Sequence, residues 1–246
     1  MQMILLGIGG SIGAALRYSI SLLLLTNDTA GFPFATVAVN LAGCFLLGML
    51  SSGFELKITA NPDYLSALKT GLIGSFTTFS TFSVEVMQLL QNQSYFFAIL
   101  YRLLRFSSCC VWHEDRKKPI GKEKSSMMNF MLVAVGGFFG AILRAVISKR
   151  LNHPYRFFYI GTFSVNLLGS FALGFLVNMH LHTTSNLILS IGFLGAFTTF
   201  STFKLESLTL IHAKQWKEFV LYSILTYTIG IAFAFAGFWM AILFLA

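Results

Sequence analysis

The chain has 246 residues, 56% of them hydrophobic and 11% charged, with 27 Phe. A soluble domain carries about 25% charged residues, so this composition excludes a protein that covers itself with polar surface and points to a bilayer. The net charge of +8 places basic loops beside anionic lipid, and with no basic face interleaved with exposed aromatics it gives no ground for a nucleic-acid partner.

The first apolar run, about Ile4 to Leu25, contains GGSIGAALR, with Arg17 as its single charge. It lacks a basic leader and a small-residue cleavage site, so it reads as a first helix rather than a signal. After a turn (Asn27, Asp28, Gly31, Pro33) a second run extends from Phe34 to about Phe54 and holds Asn40. Glu55 to Asp63 is a polar loop. The third run, Leu65 to Leu90, is crowded in its middle with small and hydroxyl residues, which predicts local unwinding. The fourth, Tyr95 to Trp112, contains Arg102 and Arg105. Central arginines cost roughly 2.5–3.5 kcal/mol each on insertion scales, so this is the weakest candidate span. A charged linker, residues 113–126, follows. The second set of runs is Phe130 to Ile147, Phe157 to Met179, Leu187 to Ile211 and Phe219 to Leu245. Cys44, Cys109 and Cys110 have no metal-ligand spacing and read as free thiols.

The runs repeat. FTTFSTF occurs at Phe76 to Phe82 and again at Phe197 to Phe203, each time after a Gly-x-x-Gly step and three residues before a carboxylate, Glu85 or Glu206. GGSIGAALR answers GGFFGAILR, pairing Arg17 with Arg144, and VNLAG answers VNLLG, pairing Asn40 with Asn166. The predicted fold is an all-α membrane protein of about 7–8 spans, made of two repeats of three or four helices with the third broken. Residues 1–112 form the first unit and 127–246 the second.

Lys and Arg in short loops set orientation. In the first half they lie between the second and third runs (Lys57, Lys69), which puts its N-terminus inside. In the second half they follow the first and third runs instead (Lys149, Arg150, Arg156; Lys214, Lys217). The repeats are therefore inverted. Inversion requires an odd number of crossings between them, which a fully spanning fourth segment does not supply.

No Ser, His and Asp set recurs in both halves, and His180 and His182 are loop residues, so the reading is a protein that is not an enzyme. What recurs suits an ion. Phe79 with Phe82, and Phe200 with Phe203, stand three apart on one helix face and can turn positive ring edges toward an anion. Packing aromatics give the same pattern. Asn40 and Asn166 put an amide inside an apolar helix, where it either bonds across helices or donates to a passing anion. Arg17 and Arg144 are expected to snorkel to an interface, and Glu85 and Glu206 to pair with a cation or a hydroxyl. Thr77 and Thr198 stand where unwound carbonyls can gather around a cation.

GGxxGAxxR, then VNLxG, then GxxGxFTTFSTFxxE, twice over, resembles the CrcB/Fluc family of fluoride channels. The resemblance implies two narrow, water-lined fluoride paths where the halves meet as a pseudo-dimer within one chain, in the cell membrane. It also implies a structural sodium ion held by the main-chain carbonyls of Gly74, Thr77, Gly195 and Thr198. By position Phe79, Phe82, Phe200, Phe203, Asn40 and Asn166 match the pore residues, and Tyr222 and Thr226 the hydroxyls of the fourth helix. Their first-half counterparts are Tyr101 and Arg105, a departure that sets one path apart from the other. The pore set carries no fixed positive charge, as weak multiple sites require. Two other readings remain at this point: a proton-coupled small-molecule exporter of dual-topology type, and a non-conducting fusion.

Overall fold

The computed structural model describes residues 1–25, 32–51, 62–106, 127–152, 159–179 and 181–245, with backbone alone for 25 and 102–106. The side chains of Arg102 and Arg105, and Lys57, Cys109, Cys110, Arg156, His180 and the linker 113–126, lie outside them. All regular structure among the described residues is helical. The first half comprises α1 (Gln2–Leu25), α2 (Phe34–Ser51), α3 (residues 62–76), α4 (Ser80–Gln91) and α5 (Tyr95–Phe106). The second comprises α6 (Met127–Leu151), α7 (Ile160–Asn178), α8 (residues 183–197), α9 (Ser201–His212) and α10 (Trp216–Leu245).

Among the described residues six helices are long and apolar enough to cross a membrane, and the first-half run α3–α4 is the counterpart of one of them, Thr183–His212.

The two halves are joined along α1 and α6. Tyr18 meets Phe130 with ring centroids 5.3 Å apart. Gly10 lies against Gly137 and Ala141, and Leu6 clusters with Ala141 and Ala145. As the number falls along α1 its partner's rises along α6, so the helices run antiparallel and the repeats are inverted. The chain between α4 and α6 therefore starts and ends on one membrane face.

The GGxxG motif has a division of labour. A Cβ on Gly10 would stand 2.3 Å from Ala141 Cβ, across the halves, whereas one on Gly13 would stand 2.2 Å from the carbonyl of Leu72 in its own α3. Gly137 and Gly140 repeat this against Ala14 (2.5 Å) and Phe193 (2.3 Å). Without apolar driving force between helices in lipid, such backbone approach is what holds them.

Each third run is interrupted twice. Residues Ala67–Ile73 and Asn186–Leu194 form wide π-type turns. Thr77 (φ −92°, ψ 154°) and Thr198 (φ −89°, ψ 155°) are then extended, and the helix restarts at Ser80 or Ser201. The unwinding expected from composition is present at the same place in both halves. Both restarted helices end alike, on a left-handed residue, Gln93 (φ 56°) or Lys214 (φ 59°).

Candidate functional site at two facing helix breaks

A helix that restarts inside a protein presents N–H groups that need acceptors. Here they come from the opposite half. Thr198 Oγ1 accepts from the N–H of Phe79 at 3.3 Å and of Ser80 at 3.2 Å. Thr77 Oγ1 accepts from the N–H of Phe200 at 3.2 Å and of Ser201 at 3.1 Å. The serine hydroxyls close the exchange, Ser80 with Thr198 at 3.0 Å and Ser201 with Thr77 at 3.0 Å. Each half caps the other's broken helix. Sequence reasoning assigned these threonines through their carbonyls alone and missed the hydroxyls.

Asn40 and Asn166 hold the extended residues in place. Asn40 Nδ2 donates to the Thr78 carbonyl at 3.0 Å and its Oδ1 accepts the Thr78 N–H at 2.8 Å. Asn166 does the same to Thr199 at 3.1 and 2.9 Å. Both ends of each amide are thus committed to the main chain of the break.

The arginines do not snorkel. Arg17 is 5% exposed and Arg144 1%, and the wide turns give the reason. Gly74 N–H donates to the carbonyls of Lys69 and Gly71 and passes over Thr70; Gly195 N–H donates to Ser190 and Gly192 and passes over Ile191. The guanidinium of Arg144 crosses to the Thr70 carbonyl, and that of Arg17 to the Ile191 carbonyl at 2.5 Å. Arg144 also donates to Ser75 Oγ at 3.2 Å and to the Thr198 carbonyl at 3.5 Å. Ala196 occupies the position equivalent to Ser75, and Arg17 Nη1 has no hydrogen-bond partner among the described residues.

The carboxylates take hydroxyl partners, one of the two pairings expected. Glu85 accepts from Thr36 at 2.6 Å and from Tyr101. Glu206 accepts from Thr162 at 2.6 Å, Tyr222 at 2.7 Å and Asn152 at 3.2 Å. Tyr101 thus answers Tyr222. Thr36 and Thr162 were missed, although Thr-x-x-x-Asn ahead of each pore asparagine was there to find them. Thr226 donates to the Tyr222 carbonyl at 2.7 Å.

Phe79, Phe82, Phe200 and Phe203 are fully buried and belong to one cluster. Phe79 lies 5.8 Å from Phe82 and 6.2 Å from Phe203, and Phe200 6.0 Å from Phe203. Tyr227 joins Phe82 and Phe203 edge-on at 5.6 and 5.5 Å. Lys204 Nζ stands 5.5 Å from the Phe200 ring centroid and 5.6 Å from Phe203, so the expectation of no positive charge beside the aromatics is corrected. Its first-half counterpart is the buried Ser83, and that difference within otherwise matching stretches was the available signal.

The family described as CrcB-like protein, Camphor Resistance (CrcB), matches residues 4–113 and again 131–238. The chain belongs to the CrcB family. Its relatives include "Fluoride-specific ion channel FluC 2" of Bacillus thuringiensis subsp. konkukian (strain 97-27), 49% identical over 112 residues, which are 45% of this chain and 95% of that one. "Fluoride-specific ion channel FluC 1" of Geobacillus kaustophilus (strain HTA426) is 43% identical over 108 residues, 44% of this chain and 93% of that one. One half of this CrcB chain thus corresponds to a whole relative, and the second family match supplies the other half. With six long apolar helices among its described residues the chain is a multi-pass membrane protein.

Proposed function

We propose that the chain is a fluoride-selective channel of the cell membrane, through which fluoride leaves the cytoplasm down its electrochemical gradient and its toxicity is relieved. One observation carries this reading: residues shared by both family matches are those that meet where the inverted halves face each other. Fluoride is small and strongly hydrated, so a path must replace water with several weak donors rather than one tight site. The edges of Phe79, Phe82, Phe200 and Phe203 supply such donors, while the hydroxyl protons of Tyr222 and Thr226 are engaged by Glu206 and the Tyr222 carbonyl. Asn40 and Asn166 fix the breaks from which the phenylalanines project.

A structural sodium ion belongs to the same reading. The carbonyls of Gly74, Thr77, Gly195 and Thr198 are neutral hard oxygens at the ends of two helical segments, where the helix dipole favours a cation. The donor set therefore fits, and bound there the ion would neutralise those helix ends. Arg17 and Arg144, whose guanidiniums lie against Gly195 and Gly74, already serve part of that role.

Fluoride efflux from liposomes containing the purified chain, followed with a fluoride electrode, tests the proposal. Fast fluoride efflux without chloride efflux is expected, and Phe200→Ile or Asn166→Ala is expected to abolish it. Equal chloride efflux, or full activity after both changes, contradicts it.

A further inference from the structure

An ammonium inside a membrane span is expensive to keep from water, so its place calls for a function. Lys204 lies within the span Thr183–His212, about 12 Å along the helix axis from its end. It is half-buried, and three rings surround its Nζ: Phe200 at 5.5 Å, Phe203 at 5.6 Å and Tyr227 at 5.7 Å from the ring centroids. Phe200 caps the start of α9, and its carbonyl accepts the Lys204 N–H at 3.0 Å. Phe203 is the neighbouring residue and Tyr227 comes from α10. Ring faces carry partial negative charge, and several together hold a cation in a cage.

Phe200 and Phe203 are also two of the four rings whose positive edges suit an anion. An ammonium against a ring face draws electron density toward itself, so the edge hydrogens become stronger donors, as linked polar groups polarise one another. Its charge acts directly as well. An anion at the rim of Phe200 is within about 10 Å of the ammonium, and at an effective dielectric of about 20 a unit charge there changes occupancy on the order of tenfold. Both effects have one sign. Ser83, the equivalent residue of the first half, gives its hydroxyl to the carbonyl of its own Phe79 at 3.2 Å and adds no charge.

We propose that Lys204, caged by Phe200, Phe203 and Tyr227, sets how tightly the rings at the second break hold a small anion. With the ammonium in place the rings fill at lower anion concentration. The ion also leaves more slowly, since conduction needs binding weak enough to release. Lys204 therefore lowers the half-saturating concentration and the maximal flux together. At equal distance its attraction is the same for every monovalent anion, so the preference among halides belongs to the rings and not to Lys204. That the anion is fluoride, and that it crosses, rests on the channel reading; binding at the rings does not require passage.

The test compares the full chain with its Lys204→Met and Lys204→Arg variants, and Lys204→Gln stands in should the methionine variant fail to fold. Binding is read from the melting temperature in detergent as fluoride replaces gluconate at constant sodium. Transport is read from initial fluoride efflux out of liposomes loaded at a series of concentrations. Lys204→Met is expected to raise the half-saturating fluoride about tenfold in both measurements and to raise maximal efflux several-fold. Lys204→Arg, which keeps the charge and stacks on rings, is expected to stay near the parent chain in both. Unchanged half-saturation in Lys204→Met, or a Lys204→Arg that behaves like Lys204→Met, overturns the proposal. The expected shift in binding without any efflux sinks the channel reading alone, whereas normal efflux with unshifted half-saturation sinks the role of Lys204 alone. Fluoride that neither moves the melting temperature nor leaves the liposomes sinks both.

Discussion

Among the described residues the two second helices, α2 and α7, differ in what covers them. α10 runs 30 residues and lies along α7 so closely that a Cβ on Gly174 would stand 2.2 Å from the Ala234 carbonyl. Gly48 is its counterpart on α2, and a Cβ there would meet nothing within 4 Å; nearby Phe45 is 67% exposed. Yet Tyr101 on α5 and Tyr222 on α10 make the same bond to the same glutamate. The residues kept identical are those at the centre, where each half completes the other. Kept as well are residues that bond within their own half, Asn40 and Asn166 among them, whereas the outer faces of α2 and α7 have diverged.

That contrast can be broken at several points. Thr77→Val and Thr198→Val each leave two buried N–H groups of the opposite half without an acceptor, at about 2–4 kcal/mol. Thermal unfolding in detergent should show equal losses for the two, because the capping is reciprocal; a loss confined to one would mean the breaks are not equivalent. Tyr222→Phe and Tyr101→Phe should each cost about 1.5–3 kcal/mol, the worth of a hydrogen bond to a charged group. A silent Tyr101→Phe would show that α5 has lost its place in the site. Gly174→Ala should destabilise by about 1–3 kcal/mol through overpacking against α10, whereas Gly48→Ala should stabilise by about 0.5–1 kcal/mol through helix propensity alone. Matching penalties at both glycines would put a helix on α2 where the described residues have none. The smallest effect belongs to Lys204→Ser, which copies Ser83 and removes a cation–ring contact of about 0.5–1 kcal/mol. Its melting temperature should fall by a few degrees at most.

Much of this could be read from the letters. Duplication of FTTFSTF, small residues around Thr77 and Thr198, and the reversed distribution of Lys and Arg led to two inverted units with a broken third helix. Other features depended on docking. A threonine hydroxyl that caps a helix in the other half has no local signature, since its partner is 124 residues away for Thr77 and Ser201. Arg17 and Arg144 looked like interface residues because nothing in a sequence marks a carbonyl passed over by a wide turn.

The most direct test joins the two breaks covalently. Thr77→Cys and Ser201→Cys, whose hydroxyls lie 3.0 Å apart, are placed in the chain freed of its native cysteines, with a protease site inserted in the linker 113–126. After oxidation and cleavage, the halves should stay together on a non-reducing gel and separate on adding reductant. Halves that separate without reductant would show that the broken helices do not face one another, and the ion path between them would have no basis.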